Sequence, residues 1–114
     1  MPIKNDIARQ KGFEKEQIAC DWLALNGFNI IERNFTAKSG EIDIIASKGG
    51  VAHFIEVKSG TTFEPIYAIT PAKLKKVIAT TQHYRQAKKL YGAYQIDACI
   101  VKGESVELVE NITL

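Results

Sequence analysis

Apolar and polar residues recur with a helical period from about Ile7 to Asn26, and Gly27 supplies a stop. The period then changes to that of strands. FNIIERN (28–34) is a strand candidate, followed by a loop over 36–40. EIDIIAS and VAHFIEVK flank Gly49-Gly50 as the arms of a hairpin. Residues 59–69 carry no regular period and are expected to be irregular. Thr70-Pro71 reads as a helix start, with threonine as N-cap and proline at the first helical position. That helix is expected to reach about Leu90 and to break near Gly92. QIDACIV (95–101) and SVELVE (105–110) complete the pattern as two strands around a Lys102-Gly103-Glu104 turn. The order is α-β-β-β-α-β-β, which predicts an α/β fold: a small mixed β-sheet flanked by helices.

On the first helix, Gly12, Phe13, Glu16, Ala19, Cys20 and Leu23 fall on one stripe. Ile18, Trp22 and Leu25 form a second ridge, to be covered by residues 63–69 or by a second subunit. Leu74, Val77, Ile78 and Thr81 form the core stripe of the second helix.

Alternation across the hairpin raises a chemical question. Ile42, Ile44 and Ala46 are expected on one face with Ile55 and Val57. Glu41, Asp43 and Ile45 share the other face with Phe54, Glu56 and Lys58. A four-residue loop of 48–51 pairs Asp43 with Glu56 and Glu41 with Lys58; a three-residue loop needs a bulge to restore these faces. Two like charges about 4 Å apart at an effective dielectric of about 20 cost roughly 4 kcal/mol. An opposed pair of carboxylates therefore needs a cation or a retained proton. Lys58 supplies part of that charge, and hard oxygen donors suit Mg²⁺ or Mn²⁺ rather than zinc. On a solvated sheet end, Lys58 would simply pair with Glu41 and Glu56. Glu16 stands in the middle of an otherwise apolar stripe. It either escapes at the stripe's edge or reaches the same acidic cluster.

The totals narrow the class. At 114 residues and 46% hydrophobic content the chain suits a single domain over 1–114 with its own core. A net charge of +2 permits a nucleic-acid partner without demanding one. Cys20 and Cys99 lie in apolar segments and make no CxxC pair, which fits a reducing compartment. No stretch looks like a signal peptide or a membrane span, and a cytoplasmic location is expected. His53, His83 and Asp97 have no metal-ligand spacing and read as structural. No Gly-rich phosphate loop, zinc pattern or nucleophile motif is present. Lys73, Lys75 and Lys76 crowd the start of the second helix, where the helix dipole adds positive potential, and are candidate phosphate contacts.

Gly12-x-x-x-Glu16-x-x-Ala19, Gly27-Phe28, Arg33-Asn34, Gly40-Glu41-Ile42-Asp43, Glu56-Val57-Lys58, Thr70-Pro-Ala-Lys73 and Ile96-Asp97 together resemble the YraN-type bacterial family. That family is assigned to the PD-(D/E)xK, restriction-endonuclease-like fold, and the site layout is similar to that of archaeal Holliday-junction resolvases. The resemblance implies a metal-dependent endonuclease acting on branched or structured DNA. Asp43 and Glu56 would bind Mg²⁺ or Mn²⁺ with the Val57 carbonyl. Glu16 would complete the metal site, and Lys58 would orient the attacking water. Lys38, Lys73, Lys75 and Lys76 would contact nucleic acid, and a homodimer would suit a four-way junction. The chain departs from the pattern at Thr36-Ala37-Lys38, Gly60 and Gln95, where arginines are common, so phosphate contacts are thinned. The alternative is a catalytically inactive module on the same scaffold that binds nucleic acid or a protein.

Overall fold

The structure, a computed structural model, describes residues 4–60 and 69–113, with side chains from residue 12 onward. Its elements are α1 (Lys4–Leu25), β1 (Asn29–Ala37), β2 (Gly40–Lys48), β3 (Val51–Ser59), α2 (Pro71–Lys88), β4 (Tyr94–Lys102) and β5 (Ser105–Val109). This is the order expected from the sequence. The five strands form one open sheet in the order β1-β2-β3-β4-β5. Every neighbouring pair is antiparallel except β3–β4, which is parallel and is bridged by α2.

Two boundaries differ from expectation. The predicted loop over 36–40 shrinks to a Lys38-Ser39 turn, because Thr36 and Ala37 still pair with Glu41 and Gly40. Helix α2 stops at Lys88, because Lys89 turns left-handed (φ 54°) and its N–H bonds back to the carbonyls of Arg85 and Gln86. At the other end Thr70 caps the helix, its side chain accepting from the Lys73 N–H at 3.1 Å. The irregular stretch expected over 59–69 lies for the most part outside the described residues, as does the suggested cover over 63–69.

The sheet is covered on both faces. Ala19, Cys20 and Leu23 of α1 pack with Ile44, Ala46, Ile55, Cys99 and Val101. Val77 and Tyr84 of α2 pack with Ile42, Ile45, Phe54 and Ile96. Burying a side chain such as Phe54 or Ile55 stabilises by about 1.5–3 kcal/mol. Both cysteines are buried free thiols.

Several packing expectations are corrected. Phe13 (58% exposed) and Leu25 (87% exposed) leave the core. Ile18 and Trp22 join the same core as the Ala19–Leu23 stripe, so α1 is buried along one broad face. On α2 the stripe runs Val77, Thr80, Thr81, Tyr84, while Ile78 faces outward. Most consequential is Ile42, expected beside Ile44 and Ala46 but packed with Ile45 and Phe54 on the α2 face. The cause is local. Asn34 falls between the paired Arg33–Ile44 and Phe35–Ile42, opposite Asp43, and adopts φ 54°. The β2–β3 ladder stops at Ile44–Ile55. The alternation of β2 therefore breaks at Asp43, and the strand rolls over there.

Candidate active site

Hairpin geometry places the two central acids. Gly49 (φ 57°) and Gly50 (φ 80°) form a two-residue turn closed by the Lys48–Val51 pair, tighter than the expected four-residue loop. The register is nonetheless the expected one, and one step beyond its last pair Asp43 faces Glu56. With the ladder ended, the Val57 N–H donates to Asp43 Oδ2 at 2.8 Å. Glu56 is 4% exposed, and Lys73 Nζ on the first turn of α2 lies 3.4 Å from Glu56 Oε1.

Glu16 projects from α1 into the same cleft, a space of about 770 Å³ lined by Glu16, Asp43, Glu56 and Val57. Between β1 and the acids, the Asn34 amide, turned so that its nitrogen donates, bridges Glu41 Oε1 (3.0 Å) and Glu16 Oε1 (2.9 Å). The left-handed Asn34 thus both rolls the strand and ties its acids together. Arg33 beside it donates to Gln17 Oε1 at 2.9 Å and stacks on Phe13.

The electrostatics are those of a crowded acidic pocket. Burial, then the Asp43 charge, pushes the Glu56 carboxyl up to about 7. Lys73 and Lys58 pull the other way and lose, because the Lys73 side chain is 40% exposed and its charge is screened. Burial also raises Asp43, against the Val57 hydrogen bond. Burial and the Asp43 charge raise Glu16, against Arg33.

The remaining candidates are spread more widely. Lys58 is half-buried; its charge acts on Asp43 and Glu56, and it forms no ion pair with Glu41 or Glu56 among the described residues. Lys38 lies exposed in the β1–β2 turn, and Lys75 and Lys76 are exposed on α2. Only Lys73 of the four nucleic-acid candidates touches the acids. Arg33 and Asn34 were quoted in the sequence pattern without a role; their adjacency to the Glu16 and Glu41 carboxyls is visible only once α1 and β1 are packed.

Among the described residues no three histidine, cysteine or acidic side chains stand close enough together to hold a metal by themselves. Two carboxylates, a main-chain carbonyl and water form a donor set that suits Mg²⁺, which retains several waters. On that chemistry Asp43, Glu56 and the Val57 carbonyl would hold a hard cation together with water, through which Glu16 would act.

No helix among the described residues is long and apolar enough to cross a membrane. A profile described as uncharacterised protein family UPF0102 matches residues 15–101. A UPF0102 protein of Helicobacter pylori (strain HPAG1) is 55% identical over 113 residues, covering 99% of each chain. One from Wolinella succinogenes is 53% identical over 108 residues, covering 95% of this chain and all of the relative. Another from Helicobacter hepaticus is 54% identical over 107 residues, covering 94% and 97%.

Proposed function

Because the chain belongs to the UPF0102 family, and the matched span takes in Glu16, Asp43, Glu56 and Lys58, we propose that it is a divalent-metal-dependent nuclease of the PD-(D/E)xK type. Its substrate is DNA, branched or otherwise structured, and the homodimer expected of a junction enzyme goes with that substrate. One observation carries the reading: Asp43 and Glu56 face one cleft beside the Val57 main chain, with Glu16 across from them. So many poorly solvated carboxyls in one cleft are destabilising unless a cation joins them.

A bound Mg²⁺ or Mn²⁺ would lower the pKa of a water and offset charge on the phosphate. The protein's own residues do the rest. The Val57 N–H holds the Asp43 carboxylate in one orientation, so it needs no reorganisation when substrate arrives. Glu56 is held on a buried strand position and Glu16 on a helix, both rigid supports. Lys58 orients the attacking water. Lys73 already lies against an anionic oxygen, that of Glu56, and with a phosphate in the cleft it becomes the substrate contact. The second reading is the inactive module. It is favoured by Lys58, which does not line the cleft, and by Lys73, which partly neutralises Glu56 on its own.

The test is cleavage of labelled duplex, single-stranded, flap and four-way-junction DNA with Mn²⁺ or EDTA, beside Lys58→Ala. Metal-dependent cutting that falls at least ~100-fold in the variant is expected for a residue that handles the reacting water. Absence of cutting on every substrate, with binding unaltered by the substitution, selects the inactive module.

A further inference from the structure

At the C-terminal end of α1, on the same face of the sheet, lies a second cavity of about 640 Å³. Trp22 of α1, Asn26 just beyond it, Phe28, Lys48, His53 and Glu107 are among its lining residues. From Glu16 to Trp22 the helix rises about 9 Å, at roughly 1.5 Å per residue, and the two spaces share no lining residue, so this cavity is separate from the acidic cleft.

Its floor is a built polar device. His53 is 5% exposed and Asp97 fully buried, and Nδ1 of the imidazole lies 2.6 Å from Asp97 Oδ2. The other Asp97 oxygen accepts from Gln95 Nε2 (2.8 Å) and from the Asn111 N–H (3.0 Å). With three donors converging on Asp97, the neutral ring carries its hydrogen on Nδ1 and leaves a lone pair on Nε2. That nitrogen has no partner among the described residues, nor is it among the atoms sealed from solvent. It is therefore the ring's remaining polar atom toward the cavity. An acceptor on a buried ring that opens only onto a cavity is available to a donor brought there by water or by a ligand.

The walls say which ligand. Trp22 and Phe28 are aromatic, and the Lys48 ammonium stands 5.0 Å from the Phe28 ring centre, so a cation already rests on that wall. Glu107 and Glu110 stand at the rim, and α1 ends here at Leu25, bringing the negative end of its dipole. The Lys48 charge is tied to the Asn26 carbonyl at 2.8 Å. An acceptor floor, aromatic walls and an acidic rim select N–H donors and positive charge, and reject phosphates.

We propose that this cavity binds a small organic cation with a flat apolar body, an amidinium or guanidinium whose N–H donates to His53 Nε2.

The chain has a single tryptophan, so its indole resonance reports on the cavity wall without ambiguity. We would titrate the whole protein with benzamidine and with benzoate, its anionic counterpart of similar shape, following the Trp22 indole and His53 ring signals. Saturable shifts of both signals with benzamidine and none with benzoate are expected. The double variant Glu107→Gln/Glu110→Gln, altered only at exposed positions, should bind roughly fivefold more weakly. His53→Gln should abolish the saturable response, provided that the spectrum shows a folded chain. Absence of saturable shifts in the wild type, or equal response to benzoate, overturns the proposal.

Discussion

Glu56 is the residue on which burial and chemistry meet most directly. Its carboxyl is at about 4.5 in an unfolded chain and about 7 here, raised by burial and by Asp43. Between those values the folded chain keeps a proton that the unfolded chain has released. Stability from this group is therefore full below about pH 4.5 and is lost as pH climbs through about 7. Asp43 and Glu16 are raised as well and act with the same sign. The expected outcome is a melting temperature that falls from pH 5 to 7.5 without metal, with a flatter profile in Glu56→Gln. Adding Mn²⁺ at pH 7.5 should restore the wild type more than the variant. A wild-type profile that rises with pH would contradict the burial argument. At this scale the sequence was informative because Glu16, Asp43 and Glu56 stand out as acids in apolar patterns. Asn34 was not legible, since its bridging role depends on a left-handed backbone set by the facing strand.

At the level of elements, the N-terminus of α2 does two jobs with one turn. Thr70 satisfies the Lys73 N–H, and the turn so fixed carries the Lys73 ammonium to Glu56. Thr70→Ala should cost about 1 kcal/mol in urea unfolding. It should also weaken the influence of Lys73 on Glu56, seen as a further upward shift of the Glu56 titration. The cap was readable because Thr-Pro is a local signal. The roll of β2 was not: period-2 patterning assumes a flat strand, and Ile42 changes faces where Asn34 turns left-handed opposite Asp43 and the β2–β3 ladder ends. Likewise Phe13 and Leu25 fit the helical period but remain exposed, Phe13 beneath the Arg33 guanidinium rather than in the core.

Taken together, the described residues form a sheet with a helix on each face, with the acidic cleft beside the middle of α1 and a second cavity at its C-terminal end. The element order and the mixed, helix-flanked sheet were legible because each element carries its own period and punctuation; the strand order β1-β2-β3-β4-β5 was not, since pairing is set by tertiary packing. What the sequence could not convey was which lysines converge, since Lys38, Lys75 and Lys76 remain exposed while Lys73 reaches the acids. If these lysines hold a DNA backbone, affinity will fall with salt. Lys75→Ala and Lys76→Ala together should then reduce the slope of log affinity against log salt by about 2 without changing preference among substrates. An unchanged slope would remove that face of α2 from the interface. Lys73→Ala should act differently, altering the Glu56 titration as well.

The hydrogen bond from Val57 to Asp43 has a mechanical meaning besides its electrostatic one. Where β2 and β3 part company, the carboxylate works as a clasp at the fork of a zip, keeping the opening from travelling toward Gly49. A residue that both clasps and carries charge can be divided by experiment. Asp43→Asn retains an acceptor for Val57 while discarding the charge, whereas Asp43→Ala discards both. Amide exchange at Val57 and Ile55 should accelerate by roughly tenfold or more in the alanine variant and far less in the asparagine variant. Metal-induced stabilisation should vanish in both. If exchange and metal response instead fall together in the two variants, the clasp and the ligand are a single function. The fork is then held by the cation rather than by the chain.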